Sequence, residues 1–277
     1  MQVGRYEILP VLDGEARFQP TLAFAGTTEA DWAPHRALLD ADGMLPLTLG
    51  GFLLRGGAAG RVVLIDVGIG ARQIGSGLGA LGGGRFLESL AGHGLAPGDI
   101  TDVVFSHLHF DHTGWASVDG KPVFANATYR CDPRDWAYWI TDPPKTATGE
   151  LRPTTVLQKE LLEAVADRVE PWTVDGPLLP GVNVMHAPGH TPGSAIMVVS
   201  DGDARALLLG DVVHCPVELL ESEWGGLGDV DPALAKQTRN ALARELEGKE
   251  TPISAAHFPG MQFGRLLSAE GRRRWVV

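Results

Sequence analysis

Residues 106–114 read SHLHFDHTG, and His107, His109, Asp111 and His112 place four metal-type donors within six positions. With this composition, His-x-His-x-Asp-His arises by accident in on the order of one chain in a thousand, so the cluster is a motif and not chance. It follows the apolar run 103–106, which reads as a strand. Histidines two apart share a face while a strand continues. A turn after His107 would instead gather all four side chains round one centre. Imidazole and carboxylate suit zinc or a similar first-row divalent ion. A chain that must converge these donors has to fold back so that a loop at a strand end gathers them.

Three more donors follow: His190 in APGHTPG, Asp211 in LLLGD and His257 in AAHFPG. Each sits beside glycine or proline, or just after an apolar run, as suits a loop at a strand end. Seven donors exceed one tetrahedral ion and suit two ions sharing a carboxylate and a water. His35 and His93 have no donor neighbours and read as solvated or hydrogen-bonded side chains.

Strands are predicted at 3–12, 51–55, 62–67, 103–106, 182–186, 195–200 and 206–209. The runs at 62–67 and 206–209 are nearly continuous in apolar residues, as in strands buried on both faces. A helix is predicted over 154–166 with Leu157, Leu161, Leu162 and Val165 on one face. Another starts at the capped Asp231-Pro232 and runs to about Gly248. The alternation implies an α/β protein with layered sheets. All 277 residues read as one domain of two similar halves, roughly 1–145 and 146–277, each with a buried strand ending in polar residues. The segment 18–47 reads as a long loop that could cover a pocket or clasp a second subunit, so a homodimer is an open expectation.

Thirty-four acids against 23 bases give a net charge of −11, which weighs against a nucleic-acid partner. Two cysteines, Cys131 and Cys215, cannot build a disulfide framework. No apolar run approaches the ~18 residues of a membrane span. The first residues, MQVGRYEILP, show no signal-peptide pattern, so no membrane partner and a cytoplasmic location are expected. Gly77-Leu78-Gly79-Ala80-Leu81-Gly82 matches GxGxxG but lies about ten residues beyond the strand at 62–67; it reads as a flexible loop, not a dinucleotide site.

The series HLHFDH, PGHTPG, GD and HFPG resembles the metallo-β-lactamase superfamily, and LIDVGIG at 64–70 resembles the aspartate-containing turn that precedes its metal motif. The resemblance implies an αββα sandwich, two mixed β-sheets with helices on the outer faces. It implies His107, His109 and His190 on one ion, Asp111, His112 and His257 on the other, and Asp211 between them. The cofactors implied are two divalent metal ions, zinc first, with manganese, cobalt or iron as substitutes. Asp66 would hold a ligand imidazole in its tautomer.

Individual residues narrow the branch. Class B1 β-lactamases carry cysteine where Asp211 stands, and flavodiiron proteins carry glutamate at the place of His109. The tRNA-processing nucleases show HGDH where this chain has HFDH. Glyoxalase II continues into a helical region for which the 20 residues after His257 leave no room. GDVVHCPVEL, DVDPALAKQTR and HFPGMQFGRL are similar to the methyl parathion hydrolase-like group and, less closely, to N-acyl homoserine lactonases. The best-known lactonases place tyrosine three residues after the bridging aspartate, where this chain has His214.

The expected activity is therefore dinuclear metal-dependent hydrolysis of an ester, lactone or organophosphate triester by a metal-bridging hydroxide. Asp111 would orient that hydroxide or shuttle its proton. His214 would stabilise the oxyanion or protonate the leaving group. Phe110, Trp136 and Trp139 would form an aromatic wall for a small-molecule substrate with an apolar or aryl group. Two alternatives are a mononuclear iron persulfide dioxygenase-like oxidoreductase, in which His112 and His257 are idle, and a non-catalytic binding protein on the same fold.

Overall fold

The computed structural model describes residues 1–57, 60–76, 79–172, 174–269 and 271–277. Successive strand residues face opposite sides, and the apolar runs use both. Phe52, Leu54, Val63, Ile65 and Val104 turn inward and meet Val182, Val184, Met197, Val199 and Leu208 of a second sheet. Their neighbours Leu53, Leu64 and Val103 turn outward beneath Phe86 and Leu90 of the helix Phe86–Gly92 and Leu162 of the helix Pro153–Glu163. On the far side, Ile196 and Leu207 pack on Leu242, Ala243 and Leu246 of the helix Pro232–Leu246. The layers run helix, sheet, sheet, helix, the αββα sandwich expected.

Among the described residues, the first half supplies an eight-stranded sheet in the order Thr128–Arg130, Asp102–Val104, Val63–Ile65, Leu45–Gly56, Tyr6–Phe18, Gly79–Gly82 and Gln73–Ser76, with Gln2–Val3 also paired to Tyr6–Phe18. The second half supplies five strands in sequence order, Gly176–Leu179, Val182–His186, Ala195–Asp201, Ala204–Leu208 and Ile253–Ser254. Val63–Ile65 runs parallel to Asp102–Val104, and Ala204–Leu208 runs parallel to Ile253–Ser254. Parallel neighbours finish at the same edge. The loops that follow them therefore open on one side of the sandwich.

Several elements depart from the sequence reading. The strand expected over 3–12 is two: the chain turns at Gly4 and Arg5 between Gln2–Val3 and Tyr6–Phe18. The second runs on to pair with Leu45–Gly56 over its whole length, with a register shift between Leu12 and Gly14. Asp13 is the extra residue of this bulge, and its polar character ended the apolar pattern early. The segment 18–47 is not one loop: it contains the helices Pro20–Ala23 and Glu29–Trp32 and the 3₁₀ turn Ala33–Leu38. Phe24 and Trp32 of that segment pack on the chain's own Trp224, with ring centres 5.9 and 4.9 Å away.

The GxGxxG stretch also differs. Gly79–Gly82 is a strand between Tyr6–Phe18 and Gln73–Ser76, not a flexible loop, while Gly77 and Leu78 lie outside the described residues. In the helix Pro153–Glu163 the buried residues are Thr155, Gln158, Leu161 and Leu162, with Leu157 only half-buried. Gln158 takes the inner position because its amide bonds the Leu108 carbonyl at 2.6 Å. The charged hairpin Arg265–Ala269 and Arg272–Val276 was not expected at all.

Candidate metal centre

All seven predicted donors meet at this edge. The strand Asp102–Val104 ends in a turn that carries His107 and His109 into the short helix Phe110–Thr113, which bears Asp111 and His112. His190 follows Val182–His186, Asp211 lies in the 3₁₀ turn Gly210–Val212, and His257 follows Ile253–Ser254. Two glycines permit this crowding. At Gly210, where φ is 53°, a Cβ would lie 2.7 Å from Ser106 Oγ. At Gly114 it would lie 2.0 Å from the Ile69 carbonyl carbon, so the LIDVGIG turn could not rest against the histidine motif.

The donors fall into two sets, His107–His109–His190–Asp211 and Asp111–His112–His257. His109 Nδ1 lies 3.1 Å from His107 Nε2 and 2.8 Å from His190 Nε2. His112 Nε2 and His257 Nε2 are 3.3 Å apart, and His257 Nε2 is 3.5 Å from Asp111 Oδ2. The Asp211 carboxylate faces both sets, with His190 at 3.4 Å, His107 at 3.7 Å, and His112 and His257 each at 3.2 Å. Donors bound about 2.0–2.1 Å from one tetrahedral ion lie about 3.3 Å from each other, the spacing seen here. Asp211 Oδ1 is buried and accepts no hydrogen bond although His112 Nε2 lies 3.2 Å away, as suits two groups that both face a cation.

The far nitrogens of four imidazoles are held by protein. His112 Nδ1 meets Asp66 Oδ2 at 2.9 Å, and His190 Nδ1 meets Asp229 Oδ1 at 3.0 Å. His257 Nδ1 meets the Thr48 carbonyl at 2.8 Å, and His107 Nδ1 meets Ser106 Oγ at 3.1 Å. Such contacts fix the tautomer and aim the other nitrogen at the ion. Asp66 adopts a φ of 60° and accepts the Ser106 amide at 2.8 Å and hydroxyl at 2.7 Å, tying its turn to the histidine motif.

The electrostatics also favour cations. Burial and the neighbouring imidazoles lower the pKa of His107 and His190, and that of His109 to about 4, so these rings are neutral lone-pair donors at pH 7. Burial opposes charge on His112 too, but the flanking Asp211 and Asp66 carboxylates outweigh it and raise the pKa. Burial likewise opposes charge on Asp211, and the ring of imidazoles holds it ionised. The pocket therefore attracts positive charge while most of its rings present lone pairs.

His214 stands beside the donors, with Nε2 3.5 Å from Asp211 Oδ2 and Nδ1 3.4 Å from Glu218 Oε2. Burial acts against its protonation, but Asp211 and Glu218 carry its pKa up to about 9. Glu218 also accepts the His214 amide at 2.5 Å and lies 3.2 Å from the buried Arg239 guanidinium. Next to the donors opens a cavity of about 590 Å³, walled by Phe18, Leu47, Leu49, Ile74, Leu81, Phe110, Trp139 and Leu227. Trp139 packs against the His109 ring, with centres 5.1 Å apart.

Trp136 does not join that wall. It is half-buried against the core, because the chain passes from the helix Pro133–Trp136 into the π-helical turn Ala137–Thr141 between the two tryptophans. Sequence reasoning also missed Asp229, Glu218, Arg239, Asp135 and Asp13. The local signal at Asp229 was the acidic GDVD stretch directly before the helix that begins at Pro232.

Comparison with known proteins agrees with this geometry. The sequence profile of the Metallo-beta-lactamase superfamily matches residues 52–257. An N-acyl homoserine lactonase of a Bacillus species is 27% identical over 171 residues, 61% of this chain and 60% of that protein. The N-acyl homoserine lactonase AttM of Azorhizobium caulinodans is 35% identical over 119 residues, 42% of each chain. The chain thus spans about three-fifths of the length of the Bacillus relative and less of AttM. Among solved structures, AidC, described as a dizinc quorum-quenching lactonase in complex with a product, superposes with a TM-score of 0.84 at 22% identity, covering 100% of this chain and 95% of that one. The hydrolase AbOPH, described as in the beta lactamase superfamily, gives 0.82 at 25% identity with the same coverage. With the profile reaching from Phe52, which pairs with Ile65 beside Asp66, to the last donor His257, the chain belongs to the metallo-beta-lactamase superfamily.

Proposed function

We propose that the protein is a dinuclear metallohydrolase that opens a lactone or cleaves a related ester or phosphotriester carrying an apolar group. The observation that carries this is the Asp211 carboxylate, which faces donors of two separate sets at 3.2–3.7 Å. A mononuclear oxidoreductase would leave His112 and His257 without employment, yet both approach Asp211 as closely as any donor. Among substrate classes, N-acyl homoserine lactones come first because they are named for the relatives, and the apolar wall offers room for an acyl chain.

Two divalent cations in this site would supply a water ionised near neutral pH and a polarised substrate carbonyl. The chain's own residues do the rest. Phe110, Trp139 and Leu227 hold the apolar part of the substrate and exclude bulk water from the donors. Asp111, at the cavity wall and 3.5 Å from His257, orients the attacking oxygen and takes up its proton. His214 hands a proton from Nε2 to the departing oxygen, and the Glu218 carboxylate, 3.4 Å from its opposite nitrogen, favours the charged ring. No covalent attachment to the protein is needed.

The test is a hydrolysis panel on metal-defined protein with acyl homoserine lactones, aryl esters, a phosphotriester and a β-lactam side by side. Chelation is expected to abolish turnover of the preferred substrate, and added divalent metal to restore it. Undiminished turnover by metal-free protein contradicts the proposal. His214→Gln is expected to lower kcat about 100-fold while leaving metal content unchanged. An unchanged kcat, or loss of metal from that variant, removes His214 from the proton-donating role.

A further inference from the structure

Asp135 is fully buried and forms no ion pair among the described residues. All its partners are neutral donors on the two loops that carry His107, His109 and His190. Its Oδ2 accepts the Leu108 amide and the Thr191 hydroxyl, each at 2.9 Å, and its Oδ1 accepts the Gly193 amide at 2.6 Å. Leu108 lies between His107 and His109, and Thr191 follows His190 directly. The same Leu108 peptide is gripped from its other side, where its carbonyl accepts the Gln158 amide at 2.6 Å. Burying a carboxylate is costly, so three donors spent on one carboxylate argue for a task beyond packing.

We propose that Asp135 is a positioning residue that clasps the His107–His109 turn to the His190 turn and so sets the spacing of one cation's three imidazoles. It rests on the assignment of His107, His109 and His190 to a single cation. The clasp is selective. The Asp111–His112–His257 set takes its outer support from Asp66 and the Thr48 carbonyl and, among the described residues, shares no hydrogen bond with Asp135. Loss of the clasp therefore loosens one cation and spares the other.

Asp135→Asn keeps the shape but turns an amide NH₂ toward groups that are themselves donors. The experiment compares wild-type protein and this variant by zinc competition titration against a chromophoric chelator, with thermal melting and near-ultraviolet circular dichroism to establish that the variant is folded. One of the two zinc equivalents is expected to bind about 10–100-fold more weakly, the other as in wild type. Thr191→Val removes one donor without touching the carboxylate; it is expected to weaken the same equivalent by a smaller factor, and it decides the matter if Asp135→Asn does not fold. Two wild-type affinities in the folded variants, or equal weakening of both equivalents, overturn the clasp while leaving the two-cation site standing. A wild-type protein that takes up no zinc overturns both.

Discussion

Asp211→Asn is expected to lower kcat/KM about 1,000-fold or more and to release at least one divalent ion per chain. The carboxylate faces His107 and His190 on one side and His112 and His257 on the other, so under the proposed bridging role each cation would lose a ligand with it. Asparagine keeps the volume but supplies no charge, and its NH₂ cannot ligate. Charge stabilisation by a bound metal contributes several kcal/mol to such reactions, and about 1.4 kcal/mol corresponds to a tenfold change in rate. Steady-state kinetics together with elemental analysis of the purified variant checks both halves. A variant that keeps two metals and turns over within tenfold of wild type sinks the bridging role.

The second large effect falls on stability, at a residue away from the donors. Asp13→Ala is expected to lower the free energy of unfolding by about 3–5 kcal/mol. Asp13 is fully buried in the bulge of the first long strand, and five N–H groups converge on it. They are the amides of Ile69 at 2.8 Å, Gly70 at 2.9 Å, Gly84 at 2.8 Å and Phe86 at 3.0 Å, and the Trp115 indole at 3.0 Å. Alanine leaves these donors buried and unpaired, and each such donor costs about 1–3 kcal/mol before relaxation. In a chain of this size the melting temperature is expected to fall by on the order of 10 °C. Metal binding also stabilises the folded state, so wild type and variant are compared at equal free metal. A shift below about 2 °C would show that water satisfies the five donors equally well.

The contrast between Asp211 and Asp13 marks what a sequence discloses. Asp211, His190 and His257 are separated by tens of residues, but each sits in a short segment with its own local signature, and His-x-His-x-Asp-His is distinctive by itself. The chemistry of a cation demands particular donor types, so the residue types announced the site. Asp13 and Asp135 carry no comparable signature. The partners of Asp13 lie 56 to 102 positions away, and those of Asp135 lie 27 to 58 away. An isolated aspartate in a sequence reads as a solvated turn residue; only the folded chain reveals the amides around it.

The fold divides in the same way. Stretches buried on both faces, such as Val63–Ile65 and residues 206–208 at the end of Ala204–Leu208, are legible because nothing interrupts their apolar run. The hairpin Arg265–Ala269 and Arg272–Val276 is half covered, and its arginines mask the alternation that puts Leu266 and Trp275 on the core side. Trp136 and Trp139 show a further limit. Spacing by three implies a shared face only while the helix stays α-helical, and here it widens into a π turn.

The central claim is that two cations share the Asp211 carboxylate. Anomalous diffraction from crystals grown with zinc tests it most directly. Two peaks are expected, one within bonding distance of His107, His109 and His190, the other within bonding distance of Asp111, His112 and His257, both contacting Asp211. A single peak at full zinc occupancy, or a second peak that does not touch Asp211, would contradict it.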